Sequence, residues 1–357
     1  MTSSLWESFT VGRIGLPHRL ALSPMTRNRA NADGTPGDLV AEYYQQRASL
    51  GLLISEGTQP SADGQGYANT PGIYTPEHIE GWRKVTDAVH EAGGHLFVQL
   101  MHVGRTSHPD NTSHHRQPVA PSAIAPGEEI HTATGAQQIP TPRALGEDEI
   151  PTIINEFRHA AASAIAAGAD GVEIHAANGY LLHQFLSPNA NHRTDSYGGS
   201  VENRARLTIE IAQAVAEEIG VDRTGIRISP AFPLGGLNEG DAESVRTQYR
   251  YLVGELAQLN LAYLHVHHLG DDELLRSFRD MWPTAVLVVR YGREREQIAS
   301  DIDSGLADMA PLGRFALANP DIVERLRTDA PLNDLDPATI YGGGATGYTD
   351  YPVLAKL

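Results

Sequence analysis

GVEIHAANGYLLHQFLSPNANHRTDSYGGSVENRAR, residues 171–206, reads as a strand, a polar loop and the opening of a helix. Val172 and Ile174 are strand formers set between Gly171 and a polar exit at His175, so Gly171–His175 is a short buried strand. Ser200 can cap the helix that follows, which runs to Ile219. The loop between them carries His175, Asn178 and Tyr180. A spacing of three puts His175 and Asn178 on one side of a helical turn. A His N–H and an Asn amide N–H that converge polarise a carbonyl or nitro oxygen that gains charge during reaction. Tyr180 is a weak acid that can deliver a proton to a neighbouring carbon. Singly, each of these side chains is equally an ordinary loop residue, so the rest of the chain has to decide.

The same strand–helix unit recurs on both sides. Before it, apolar runs at Leu20–Ser23, Leu52–Ser55 and His95–Leu100 read as strands, with helices over Leu39–Ser49 and Pro76–Ala92. Gly93-Gly94 stops the second helix. Residues 101–149, rich in Pro, His, Ser and Thr and without periodicity, read as a long excursion after the third strand that covers the active-site face. A helix over Ile150–Ala167 leads into the Gly171 strand. After it come strands Gly225–Ser229, Leu261–Val266, Thr284–Val289 and Asp308–Leu312, separated by helices over Asp241–Leu259, Asp271–Arg279 and Glu294–Ser304. A last helix starts near Pro320 and runs to Leu326. Eight strands alternating with eight helices predict one α/β domain over residues 1–357, a closed (β/α)8 TIM barrel, with an open doubly wound sheet as the alternative.

Composition narrows the function. Asp+Glu 44 against Lys+Arg 27 gives a net charge of −17, which argues against nucleic acid or an anionic membrane surface as a partner. The absence of cysteine excludes disulfides, iron–sulfur clusters and thiolate zinc sites. The opening MTSSLWESFTVGRIG lacks the pattern of a secretion signal and no apolar run would span a bilayer, so the expected compartment is the cytoplasm. Gly342, Gly344 and Gly347 satisfy the G-x-G-x-x-G spacing, but no βαβ unit follows them, and they read as a flexible tail.

Barrels of this kind hold their active sites at the C-terminal ends of the strands. Those ends offer Thr26, Gly57, Gln99, His175 with Asn178, Arg227, His267 or His268, Gly292, and Gly313 with Arg314. Carboxylates are nearly absent, Glu56 being the main exception. That set lacks the ligands of a metal-dependent hydrolase and the acid pair of a glycosidase. Gln99 offers a donor and an acceptor, which suits an imide edge such as a flavin pyrimidine ring. Arg227 can stabilise the anion of a reduced flavin, and the loop opened by Gly313-Arg314 is where barrels commonly bind phosphate. Jointly these residues describe a site for a phosphorylated, electron-accepting heterocycle.

The chain resembles the Old Yellow Enzyme family of FMN-dependent ene-reductases over nearly its whole length. The resemblance lies in SPMTRNRA from Ser23, SEGT from Ser55, GYANTPGIYT from Gly66, VQLMHVGRTSHP from Val98, the run from Glu173, RISP from Arg227, LGRFALANPDIVERL from Leu312 and YTDYP from Tyr348. It implies FMN held noncovalently across the barrel mouth, reduced by NADPH or NADH. Pro24, Met25 and Thr26 would lie along the isoalloxazine, with Thr26 tuning its potential. Gly57, Gln99 and Arg227 would surround the pyrimidine ring, and Gly292, Gly313 and Arg314 would stand at the phosphate. His175 and Asn178 would grip the activating oxygen of an alkene substrate and Tyr180 would donate the proton, with Tyr67, Met101 and Tyr351 bordering the pocket.

Three positions depart from the family pattern: Met101 stands where Trp is usual, Arg290-Tyr291 replaces small residues in the loop after strand seven, and His18 replaces an Asn. These larger residues count against close main-chain approach to a phosphate in that loop, where Arg290 could compensate with charge. The expected partners are NAD(P)H and small activated alkenes, and the expected assembly is a monomer or homodimer. Reduction of nitro compounds or nitrate esters, a flavin-free barrel lyase or hydrolase, and a flavin-binding protein without reductase activity are the alternatives.

Overall fold

The computed structural model describes residues 3–355, so the two residues at each end of the expected 1–357 unit lie outside the described residues. Eight strands form one parallel sheet: β1 (Leu20–Leu22), β2 (Leu52–Ile54), β3 (His95–Leu100), β4 (Gly171–Ala176), β5 (Thr224–Ile228), β6 (Tyr263–His268), β7 (Ala285–Arg290) and β8 (Ala310–Leu312). Hydrogen-bonded neighbours run β7-β6-β5-β4-β3-β2-β1-β8. A parallel bridge between Leu287 and Met309 joins β7 to the segment entering β8, so the sheet curls into a nearly closed barrel and is not an open one. Parallel neighbours need crossovers. The principal ones are α1 (Asp38–Gln46), α2 (Pro76–Glu91), α3 (Ile150–Ala166), α4 (Val201–Ile219), α5 (Ala242–Ala257) and α6 (Asp272–Met281).

Alternation along the strands sorts the core into two compartments. Leu96, Val98, Val172, Ile174, Ile226, Ile228, Leu264 and Val266 face outward and pack under the helices. The opposite parity points into the barrel. Its lower part is apolar: Ala21, Leu52, Ile54, Phe97, Tyr263 and Leu287 form one cluster with Val11, Ile14 and Leu16. Those last three belong to an N-terminal hairpin, Phe9–Val11 against Ile14–Leu16, which closes that end of the barrel. Two glycines make room inside. A Cβ on Gly171 would lie 2.6 Å from the Phe97 ring, and one on Gly225 would lie 2.2 Å from the Tyr263 ring. Above this apolar layer the inward positions turn polar, with Gln99, Glu173, Arg227 and His265 all buried.

Two expectations are corrected, and the long excursion gains detail. The helix expected over Glu294–Ser304 is a 3-10 turn, Arg295–Gln297, and a single helical turn, Ser300–Asp303. Tertiary bonds override local propensity there: Arg295 donates to the Arg325 and Ala330 carbonyls, and Asp301 is drawn to Arg290. The excursion over 101–149 carries an antiparallel hairpin, Glu129–Thr132 against Gly135–Gln138. It is tied to the loops after β2 and β5, because Asn111 donates to the Gly66 carbonyl and the Gly236 N–H donates to Glu128.

The glycine-rich stretch near the C-terminus is not a free tail. Arg27 donates to the Ile340 and Gly347 carbonyls, Arg29 donates to the Gly344 carbonyl, and the Gly342 N–H donates back to Arg27. Tyr348 stacks on Tyr43 with ring centroids 4.4 Å apart. Paired main chain, which a spacing rule does not see, fixes this stretch. Among the described residues no helix is long and apolar enough to cross a membrane.

Candidate active site

The barrel opens at the C-terminal ends of its strands into a cavity of about 580 Å³. Pro24, Met25, Thr26, Gly57, Gln99, Met101, His175, Asn178, Tyr180, Arg227, Gly292, Gly313 and Arg314 all line it, drawn from seven strand ends across some 290 residues of sequence. Tyr67 stands behind the wall, its hydroxyl 3.2 Å from that of Tyr180. Tyr351 does not line the cavity: its hydroxyl accepts from the Asp336 N–H instead. Ile340 and Tyr341 border the mouth from the same C-terminal segment.

His175 and Asn178 reach the cavity by a different route from a helical turn. His175 is still in β4, and Asn178 and Gly179 are both left-handed, with φ of 55° and 86°. Asparagine tolerates that conformation. The turn is pinned where the Asn178 N–H donates to the Ser229 hydroxyl at 2.7 Å and the Gly179 N–H donates to His183 Nδ1 at 3.0 Å. A short helix, Leu181–Leu186, then carries Leu181, Leu182, Phe185 and Leu186 into the core.

The electrostatics fix which atoms are donors. Burial pushes the His175 imidazole well below its ordinary pKa, and Arg227 pushes it further, so the ring is neutral. Its Nδ1 accepts from the Ala177 N–H at 3.2 Å, which leaves the proton on Nε2. His267 Nδ1 lies 3.1 Å from Asn178 Oδ1. Burial holds the Tyr180 phenol well above its ordinary pKa, so it stays protonated, and its ring meets His175 edge-on at 5.0 Å.

Below the cavity floor lies a buried polar layer. Glu173 accepts from Gln99 Nε2 at 2.7 Å and pairs with His265 Nδ1 at 2.8 Å. Burial alone would raise the Glu173 carboxyl, but His265, Arg227 and Gln99 hold it below the usual range. Gln99 gives one amide hydrogen to Glu173 and keeps its second amide hydrogen and its carbonyl oxygen, so the donor and acceptor read from the sequence both remain. Arg227 is buried and its Nε has no hydrogen-bond partner among the described residues.

At the other end of the cavity the Arg290 guanidinium is already committed. It donates to Asp301 at 2.9 Å and to Asp272 at 2.7 Å, so the expected compensating charge is spent. Arg293 shares Asp301 at 2.9 Å, whereas Arg314 donates to the Arg293 carbonyl at 3.4 Å, lies 3.7 Å from Glu294 and stays half-exposed. The first-turn N–H groups of Arg314 and Phe315 have no acceptor within their own helix.

Sequence reading missed Glu173, His265 and Tyr341, and left His267 and His268 undivided. For the histidines a signal existed. On β6, Tyr263 and His265 share the inward parity of His267, whereas His268 points out to Asp272 at 2.9 Å. Glu173 has the same parity as His175. Nothing in the spacing around Tyr341 marks it.

Residues 4–333 match the NADH:flavin oxidoreductase / NADH oxidase family. A probable flavin mononucleotide-dependent alkene reductase of Leishmania infantum is 41% identical over 96% of each chain. The 12-oxophytodienoate reductase 1 of Oryza sativa subsp. japonica is 40% identical over 99% of this chain and 94% of its own. Among solved structures, morphinone reductase in complex with tetrahydroNAD superposes with a TM-score of 0.94, at 42% identity over 99% of this chain and 98% of that one. An old yellow enzyme homologue from Zymomonas mobilis superposes at 0.93, with 37% identity over 98% and 99% of the two chains. The chain therefore belongs to the Old Yellow Enzyme family of FMN-dependent NADH:flavin oxidoreductases.

Proposed function

We propose that this protein reduces alkenes activated by a conjugated carbonyl or nitro group, using electrons from NADPH or NADH. The observation that carries this reading is the cavity wall formed by a neutral His175 with its proton on Nε2, the Asn178 amide, and a protonated Tyr180.

The cavity suits FMN in its chemistry. The unpartnered Nε of buried Arg227 and the free carbonyl oxygen of Gln99 are a donor and an acceptor beneath the mouth, matching the edge of a pyrimidine ring. Gly313 is open on the cavity side, where a Cβ would meet only Met25 Sδ at 3.5 Å, so main chain can approach a phosphate closely there. Arg314 adds a half-exposed cation. Pro24, Met25 and Thr26 offer an apolar edge and a hydroxyl, with the chain just beyond them anchored by the Arg27 N–H donating to buried Glu56. When bound, FMN supplies the hydride chemistry that no side chain of the protein can.

The protein's own part is binding, polarisation and proton delivery. His175 Nε2–H and the Asn178 amide donate to the activating oxygen of the alkene and stabilise the charge that gathers on it. One such donor contributes roughly 3 kcal/mol in a water-excluded site. Tyr180 delivers a proton to the α-carbon, and Tyr67 holds its hydroxyl in place. Met101 lies against Gly57, where a Cβ would come within 2.4 Å of its sulfur, and it shapes the pocket where the family usually has Trp.

The test is the variant with His175→Ala and Asn178→Ala together. It is expected to retain FMN and to lose turnover of 2-cyclohexenone by a factor of about 10² or more. Turnover equal to the parent enzyme's would refute the reading.

A further inference from the structure

We propose that His267 is a positioning residue that sets which face of the Asn178 amide the substrate meets. An asparagine amide is nearly symmetric in shape, and rotation by half a turn exchanges its carbonyl oxygen for its NH2. In one orientation it stabilises a developing oxyanion, and in the other it repels it. The backbone of Asn178 is pinned by Ser229, but that bond leaves the side-chain rotation free. The side-chain contact at hand is His267 Nδ1, 3.1 Å from Asn178 Oδ1.

The placement of His267 follows from the sheet. It is the last inward-facing residue of β6 and pairs in register with Val289 of β7. Its ring packs on Phe232, with centroids 4.5 Å apart at 40°, and Phe232 comes from the loop after β5 that also supplies Ser229. The polar groups around this ring are Arg227 on β5, His265 on its own strand, His175 on β4 and Asn178, while His268 acts on it from the opposite face of the strand. Burial disfavours charge on the ring and the Arg227 cation adds to that, so the ring is held neutral. A neutral ring with its hydrogen on Nδ1 gives that hydrogen to the Asn178 carbonyl oxygen, and both amide hydrogens of Asn178 are then left for the cavity. Neither the spacing of the His175–Asn178 pair nor its recognition as a pair requires a histidine at this place.

The inference rests on the reading of His175 and Asn178 as the oxygen-binding pair, and the experiment separates the two. Holoenzymes with His267→Leu, His267→Asn and Asn178→Ala are reduced anaerobically and reoxidised either by 2-cyclohexenone or by ferricyanide, an outer-sphere acceptor that needs no oxygen-binding pair. Asn can place an N–H where Nδ1 stands, whereas Leu cannot. The expected result is that His267→Leu slows reoxidation by 2-cyclohexenone at least tenfold and leaves the ferricyanide rate within twofold. His267→Asn should recover most of the loss. The dissociation constant of 4-hydroxybenzaldehyde, read from the flavin spectrum, should rise at least tenfold in His267→Leu and fall back in His267→Asn. If Asn178→Ala is slow with 2-cyclohexenone while His267→Leu matches the parent, His267 does not position the amide. A loss in His267→Leu that His267→Asn fails to restore, or that appears equally with ferricyanide, also overturns the proposal. If Asn178→Ala itself is unaffected, the oxygen-binding reading fails first.

Discussion

The hydroxyls of Tyr67 and Tyr180 lie 3.2 Å apart at the side of the cavity, one on the loop after β2 and the other just past the turn that follows β4. Tyr180 is buried and its hydroxyl is hydrogen-bonded to that of Tyr67, so Tyr67 fixes the direction of its O–H. Tyr180→Phe should slow reoxidation of the reduced enzyme by 2-cyclohexenone while sparing reduction by NADPH. Tyr67→Phe should show the same pattern more weakly, by about fivefold, the worth of one ordinary hydrogen bond of ~1 kcal/mol. Stopped-flow measurement of both half-reactions checks this.

The pH dependence should be flat where histidine enzymes usually bend. Burial and Arg227 hold His175 well below its ordinary value, and burial and Arg227 push His267 down to about 3. Burial and Tyr67 hold Tyr180 well above its own ordinary value. All three groups therefore keep one protonation state across neutral pH. The rate constant for reoxidation by 2-cyclohexenone should not bend between roughly pH 5.5 and 9. A bend near the ordinary histidine value would show that the pair ionises.

Glu173 should be a large stability determinant. Its carboxylate is the partner of Gln99 and His265 and the nearest countercharge to Arg227, all of them buried. Glu173→Leu strands these groups and should cost about 3–5 kcal/mol in denaturant unfolding, the usual loss when one member of a buried charged network is removed. Glu173→Gln keeps an acceptor and should cost less.

Much of this architecture was legible from alternation alone. The strand–helix rhythm gives the barrel because each βα unit must bury a two-faced strand under a helix, and the strand ends then name most of the cavity wall. Three things resisted. His175 and Asn178 converge through left-handed backbone at Asn178, which a helical spacing argument gets right for the wrong reason. Glu173 sits between two apolar neighbours, so its strand reads as plain core until the inward parity is followed across β3, β5 and β6. Tyr341 enters the mouth, where Tyr351 was expected, because Arg27 and Arg29 clamp the main chain around it, and such long-range pairing leaves no local pattern.

Glu56 gives a stability prediction with a definite sign. Burial pushes its carboxyl up to about 7, against the pull of the Arg27 N–H and guanidinium. The folded protein therefore keeps a proton that the unfolded chain releases above the ordinary value of 4.5. Its contribution to stability is fully present below that value and is lost as pH rises through about 7, by about 3 kcal/mol. Glu56→Gln lacks this titration. Relative to the parent, it should gain stability as pH climbs through that window, and thermal unfolding across the range measures it. A difference that stays constant with pH would contradict the assignment.

The central claim is that the cavity holds FMN over Arg227 and Gln99, with His175 and Asn178 presenting donors to an alkene. The most direct measurement is the visible spectrum of the purified protein under anaerobic conditions, first with NADPH and then with 2-cyclohexenone. The account predicts a flavin band that bleaches with NADPH and returns on addition of the enone. A protein that is colourless and does not take up FMN, or a bleached one that the enone leaves bleached, would contradict it.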